Sequence, residues 1–119
     1  MKVVKISEVP KEPYISPLFT GQDVTRQVLI TDSKDYTVNI VNFGKQVRTK
    51  FHAHDSEQIL IVTAGTGIVA TEEEERLVTV GDVIFIPAGE KHWHGATMES
   101  EFSHIFVLKA GSRLTQLED

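Results

Sequence analysis

Four of the five histidines in this sequence fall in two close pairs, as His-Ala-His at residues 52–54 and His-Trp-His at residues 92–94. Within a strand, residues i and i+2 point to one face about 7 Å apart, so each pair can direct two imidazoles at one ion. Gln58 follows the first pair after a polar turn, where its carbonyl oxygen could join the imidazoles. The pattern predicts a metal site, because imidazole nitrogens and amide oxygens are metal ligands.

The composition limits what else such a site could contain. The 119 residues include no cysteine, so thiolate ligands and disulfides are excluded, and the ligands must be His, carboxylate, amide or water. The formal net charge is -5 without a basic stripe, so we expect no nucleic-acid partner. The first residues lack an apolar signal region, and no apolar run approaches the roughly 20 residues that span a bilayer, which favours a cytoplasmic protein without membrane contact.

The rest of the sequence is typical of an all-β protein. Residues 1–22 hold three of the four prolines and predict an extended N-terminal arm, whereas residues 23–119 predict a single barrel domain. In the barrel, runs with period two or continuous β-branched character alternate with turns, including turns at 64–67 and 72–75. The last few residues could form a single helical turn. The predicted strands are 26–31, 37–43, 50–54, 59–63, 67–71, 76–80, 83–86 and 101–108.

Two segments resemble the two sequence motifs of the cupin superfamily. The first is HAHDSEQ at residues 52–58 followed by a glycine at 65, and the second is GDVIFIPAGEKH at residues 81–92. The resemblance covers residues 44–96 and implies a double-stranded β-helix, the cupin or jelly-roll barrel, that holds one divalent metal. It assigns the metal to four ligands, which are His52, His54, Gln58 and His92.

The chain departs from the cupin pattern at three positions. Gln58 stands where the first motif usually has Glu, Gln46 where it has Gly, and Ala96 where the second motif has Asn. A neutral amide ligand leaves the +2 charge of the metal intact, which favours Lewis-acid chemistry on an oxygen and attracts anions, with some loss of metal affinity. Glu57 is the competing ligand, but it is one residue short of the family spacing. Adjacent residues of a strand point to opposite faces, so Glu57 and Gln58 cannot both point at the metal.

A larger set of residues is similar to the small manganese-dependent cupin hydroxynitrile lyases. The similar residues are 19–21, 48–49, 52, 54, 58, 60–65 and 89–96. These enzymes make or break the bond between cyanide and a carbonyl carbon, with three His and one Gln on the metal. The resemblance implies that His94 and His104 carry protons. It also implies a small, mostly apolar pocket lined by Asn39, Val41, Thr49 and Leu108, although the Lys-Phe at 50–51 differs from the usual Ala-Trp.

Periodicity gives an independent view of three of these residues. His104 shares a face with the apolar residues at 102, 106 and 108, which must be the barrel interior. Strict alternation places Thr49 opposite His52, so Thr49 would need a bulge to reach the pocket. A structural role at the rim for His94, and a hydrogen-bonded core role for His104, are the alternatives to proton transfer.

Three functions are compatible with this site. The first is a lyase that uses Mn or Fe, with Ni and Zn as alternatives, together with a histidine as general base. The second is a metal-dependent dioxygenase, and the third is a non-catalytic module that binds a small ligand. In each case the partner is a small molecule with a hydroxyl, carbonyl or carboxylate group. A homodimer is also expected, because the arm at 1–22 can cover a strand edge of a neighbouring chain.

Overall fold

The protein is built from ten β-strands and one short 3-10 turn, in a computed structural model that describes all 119 residues. This confirms the all-β prediction. No helix in the chain is long and apolar enough to cross a membrane. The 3-10 turn is Ile6–Glu8, and the strands are β1 (Glu12–Pro13), β2 (Val24–Ile30), β3 (Tyr36–Phe43), β4 (His52–His54), β5 (Gln58–Ala70), β6 (Glu75–Thr79), β7 (Val83–Ile86), β8 (Trp93–Ala96), β9 (Phe102–Lys109) and β10 (Leu114–Gln116).

The long strand β5 organises the antiparallel architecture. The main sheet has the order β1-β2-β3-β9-β5-β6, and β7 and β8 also pair with β5. The first half of β5 pairs with β7 and most of β9, whereas its second half pairs with β6 and β8. A separate two-stranded sheet contains β10 and β4. Because β5 connects two groups of strands, the chain has the jelly-roll arrangement that the sequence predicted.

The predicted turn at 64–67 is wrong, because β5 continues through it. The register with β9 shifts between Val62 and Ala64, so a bulge rather than a turn accommodates the bend. Gly65 has φ +71°, a left-handed conformation that favours glycine. A Cβ at this position would also overlap the carbonyl oxygen of Glu101. Gly65 therefore lets β5 pass close to the backbone at the start of β9.

Replacing Gly65 with alanine is expected to lower the free energy of unfolding by at least about 2 kcal/mol, because the methyl group adds backbone overlap to left-handed strain. Gly81 is a matched control, since it has φ +95° but open space where a Cβ would lie. The Gly81→Ala variant should lose only about 1 kcal/mol. Urea unfolding measures both values, and equal losses would contradict the role assigned to close packing at Gly65.

The two ends of the chain pack against the barrel in ways that alternation did not predict. The expected helical turn at the C terminus is instead β10, which pairs with β4 in a register that places Thr115 opposite Ala53. The N-terminal arm contains a single 3-10 turn and is held against its own β2, because the Gln27 side chain donates hydrogen bonds to the carbonyls of Ile6 and Val9. Both ends therefore cover strands of the same chain.

An aromatic core lies directly beside the histidines. The Phe43 ring centroid is 6.1 Å from that of Phe102 and 5.9 Å from that of Phe19, which the arm contributes. Phe43 also lies 5.7 Å from the His104 ring and 5.9 Å from the His94 ring. The remaining buried apolar residues of this cluster are Leu18, Val24, Val41, Val62, Val78 and Ala96. Close packing of this core fixes the orientation of the imidazoles next to it.

Candidate metal centre

Three imidazoles converge where β4 meets the residue that precedes β8. His52 and His92 exchange backbone hydrogen bonds of 2.9 and 3.0 Å, which hold the two segments side by side. His54 lies on the same face of β4 as His52, with ring centroids 5.1 Å apart. One ring nitrogen from each of the three histidines lies within 4.8 Å of the others. The structure therefore brings together a three-histidine cluster that could hold a metal ion, as the spacing predicted.

Backbone carbonyls orient two of these rings. Nδ1 of His52 lies 2.7 Å from the carbonyl oxygen of Lys50, and Nδ1 of His92 lies 2.8 Å from that of Glu90. A carbonyl only accepts, so in each neutral ring Nδ1 carries the proton and donates it. That tautomer leaves the lone pair on Nε2, which is the atom available to a metal.

The three imidazoles are held in the neutral form that a metal requires. Burial lowers the pKa of His52 from 6.5 to about 3 and that of His54 to about 4, with a smaller contribution from the nearby His92. Burial also lowers the pKa of His92. Because all three are deprotonated near neutral pH, no proton has to leave before a cation binds.

Gln58 is the fourth candidate ligand, beside the three histidines. It begins β5, is 3% exposed, and its Oε1 is buried without a hydrogen-bond partner. Glu57, the alternative ligand, is exposed and lies before the start of β5. Both ring nitrogens of His54 and Nε2 of His92 are likewise buried and unpartnered. A buried polar atom without a hydrogen-bond partner costs about 1–3 kcal/mol. A bound cation would take the lone pairs of these nitrogen and oxygen atoms, so this set of ligand atoms fits a metal ion.

His94 and His104 form a second, connected pair behind the cluster. His104 Nε2 lies 3.0 Å from His94 Nδ1, and both side chains are buried. The His94 ring is 5.5 Å from that of His52 and 5.7 Å from that of His92. The backbone N–H of His94 donates a 3.0 Å hydrogen bond to Oγ1 of Thr49. The structure thus links the two histidines that the resemblance implied as proton carriers.

Acidification is expected to destabilise the metal-free protein between about pH 6.5 and 4. Complete burial lowers the pKa of His104 to about 4, so in this interval the unfolded chain binds a proton that the folded chain does not. The contribution of His104 to the free energy of unfolding is therefore complete above the pKa that this residue has in the unfolded chain. It falls with decreasing pH, by up to about 3 kcal/mol. Urea unfolding at several pH values measures the slope. His104→Gln should make the slope shallower, while the other buried histidines keep part of it, and an unchanged slope in that variant would contradict the assignment.

The histidines open into a cavity of about 290 Å³. His52, His54 and His94 line it, whereas His104 lies behind His94 and does not. Gln58 and the four residues implied as pocket residues, Asn39, Val41, Thr49 and Leu108, also line it. A larger cavity, of about 340 Å³, lies against β6 and β7. His92 is the only histidine that lines this cavity.

Thr49 reaches the cavity without the expected bulge. Residues 50 and 51 are not part of a strand, so alternation does not extend from His52 back to Thr49. Thr49 is 2% exposed and forms an isolated bridge with Phe19 of the arm. Sequence reasoning missed other lining residues, among them Tyr14, Leu18, Phe19, Arg26 and Phe106. For Arg26, the alternation Val24, Arg26, Val28 in β2 was the available signal.

The fold and the site define a small β-barrel protein with a candidate metal centre, and comparison with known proteins places it in a family. The family model described as "Cupin domain" matches residues 39–108. The chain therefore belongs to the cupin family. A solved cupin-like protein from Thermotoga maritima is 34% identical, with a TM-score of 0.82, over 90% of this chain and 84% of that one.

Two curated relatives are enzymes with different activities. The (R)-mandelonitrile lyase of Granulicella tundricola is 41% identical over 96 residues, which are 78% of this chain and 65% of the lyase. The acireductone dioxygenase of Frankia alni is 32% identical over 63 residues, which are 50% of this chain and 31% of the dioxygenase. The chain thus spans slightly less than two thirds of the lyase and about a third of the dioxygenase.

Proposed function

We propose that the protein binds one divalent metal ion, Mn or Fe, through His52, His54, His92 and Gln58. The observation that carries this proposal is the convergence of three neutral imidazoles within 4.8 Å, next to an unpartnered buried Gln oxygen. Mixed nitrogen and oxygen ligands without thiolate are compatible with Mn and Fe, and also with Ni and Zn. The metal would supply Lewis acidity toward a substrate oxygen.

We further propose a lyase reaction like that of hydroxynitrile lyases, in which carbon–carbon cleavage releases a carbonyl compound. The similarity to the mandelonitrile lyase supports this reaction class. His94 is the residue positioned to act as general base, because it lines the cavity and its Nε2 is buried without a partner. Burial also lowers its pKa well below 6.5, which keeps the ring neutral before it accepts a proton.

His104 sets the tautomer of His94. If Nδ1 of His94 donates to Nε2 of His104, the lone pair of His94 Nε2 is free to take the proton of a substrate hydroxyl. In the reverse direction the same atom returns the proton to the product oxygen.

Cleavage of mandelonitrile with and without oxygen tests this proposal. We expect the Mn-loaded protein to release benzaldehyde and cyanide at the same rate under air and under strict anaerobiosis. Protein treated with a chelator, and then reloaded, is the control for metal dependence. An absence of cleavage by protein with one metal per chain would refute the lyase assignment.

The second candidate function is a metal-dependent dioxygenase, which the similarity to an acireductone dioxygenase favours. On a six-coordinate iron ion, three imidazoles and an amide would leave two positions, one for oxygen and one for a substrate oxygen. Oxygen consumption that depends on added substrate would support this function. If the protein bound a small molecule and released it unchanged, the non-catalytic binding module would be the supported function.

We propose that two copies of the chain associate through an apolar sheet face. Ile59, Val83 and Phe85 on β5 and β7 are 38%, 65% and 56% exposed, and they form a continuous outer surface. Phe85→Lys is expected to convert a dimer into a monomer in light scattering after gel filtration, because a buried unpaired charge is unfavourable at an interface core. Met98→Lys, at an exposed apolar residue elsewhere, is the control. A monomeric native protein would refute the dimer.

A further inference from the structure

Arg26 lines the cavity without an acidic partner. Arg26 lies on the inner face of β2, and its guanidinium carbon is 4.7 Å from the centroid of the Tyr14 ring. Its Nε is buried with no hydrogen-bond partner, and Arg26 takes part in none of the three ion pairs of the chain. Arg26 therefore has hydrogen-bonding capacity that the protein itself does not use.

The surroundings of Arg26 make the cavity electropositive. The charged lining residues are Arg26 and Lys109, and no Asp or Glu lines the cavity. The register partner of Arg26 on β1 is acidic, but this residue, Glu12, is exposed and makes no ion pair with Arg26. The candidate metal ligands are also uncharged, so no negative charge in the cavity would neutralise the charge of a bound metal ion. Such a cavity attracts anions.

Strand register places Arg26 across the cavity from the histidines. Arg26 pairs with Val41, and Val41 pairs with His104, on three adjacent strands with side chains on the same face. Two strand spacings separate the backbones of Arg26 and His104 by about 10 Å. His104 contacts His94, and His94 lines the same cavity of about 290 Å³ as Arg26. A small molecule in this cavity can therefore reach His94 with one end and the guanidinium with the other.

We propose that Arg26 binds a carboxylate of the substrate, so that the natural substrate is a small hydroxy or oxo carboxylic acid. This inference rests on the proposed function, because it places the reacting hydroxyl or carbonyl at the histidine cluster. The planar fork of an arginine matches a carboxylate in a bidentate geometry. The carboxylate also fills the hydrogen-bonding capacity that the protein leaves open at Arg26.

Binding of 4-formylbenzoate and of its neutral analogue 4-formylbenzamide tests the proposal. The two probes have the same shape and aldehyde, so calorimetric titration isolates the effect of the carboxylate. We expect the native protein to bind the carboxylate about tenfold more tightly or better. Arg26→Gln should abolish that preference with metal content unchanged, and Arg26→Lys should keep part of it. Glu12→Gln, at an exposed residue outside the cavity lining, is a control that should retain the preference.

Titrations of metal-free and Mn-loaded protein separate this inference from the proposed function. Because Arg26 is not a metal ligand, the preference for 4-formylbenzoate should persist without metal, even if the protein proves to have no lyase activity. A preference seen only in the Mn-loaded form would assign the carboxylate to the metal and overturn the proposal. A preference retained by Arg26→Gln, or no binding of 4-formylbenzoate at millimolar concentration, would overturn it as well.

Discussion

Replacing His52 with alanine is expected to reduce the bound metal from about one ion per chain to nearly none. His52 lies at the centre of the cluster, since its ring is 5.1 Å from that of His54 and 4.3 Å from that of His92. The carbonyl of Lys50 fixes its tautomer and leaves Nε2 available to the metal. Elemental analysis of protein purified without a tag or chelator measures the content.

Two further variants sharpen this measurement. Gln58→Ala should lower metal affinity by about 10- to 100-fold, whereas Gln58→Glu should raise it, because a carboxylate adds charge to the ligand set. His104→Gln is the matched control, as His104 does not line the cavity, and it should retain metal. Full metal content in His52→Ala, or a native site that refuses added Mn, Fe, Ni and Zn, would contradict the proposed centre.

Replacing His94 with alanine is expected to lower the rate of mandelonitrile cleavage by about 10²- to 10⁴-fold while metal remains bound, because this range is typical of a lost general base. The His94 side chain is the one histidine that both lines the cavity and contacts His104. Steady-state kinetics with parallel metal analysis measures the effect. Added imidazole should partly restore the rate in the cavity left by the side chain.

His104→Gln should have a smaller effect on the same reaction, about tenfold, because His104 positions His94 rather than touching the substrate. A shift in the pH profile of kcat/KM distinguishes this positioning role from general destabilisation. Met98→Ala, at an exposed residue away from the cavity, controls for handling. If the His94 and His104 variants both kept full turnover with metal bound, neither histidine could be part of the proton pathway.

Much of the fold follows from alternation within single strands. The predicted strand at 83–86 matches β7, and 37–43 and 101–108 differ from β3 and β9 by one residue at their ends. The turn at 64–67 failed because a glycine-containing segment is equally compatible with a turn and a bulge. Pairing of β5 with strands far away in the chain decides between them.

The sequence by itself determined most of the strands, although not β1, β8 and β10, and the local parts of the site. The spacing of His52 and His54 fixes both rings on one face, since the pleat has a period of two. The same rule separates Gln58 from Glu57 and places His104 in the interior.

Only the tertiary structure decided which distant residues meet in the cavity. The contact between His94 and His104, the orientation of Thr49 and the unpartnered guanidinium of Arg26 depend on strand pairing and on how the N-terminal arm packs. The alternation of side chains predicts their orientation only within one strand. Contacts between strands depend instead on register and core packing.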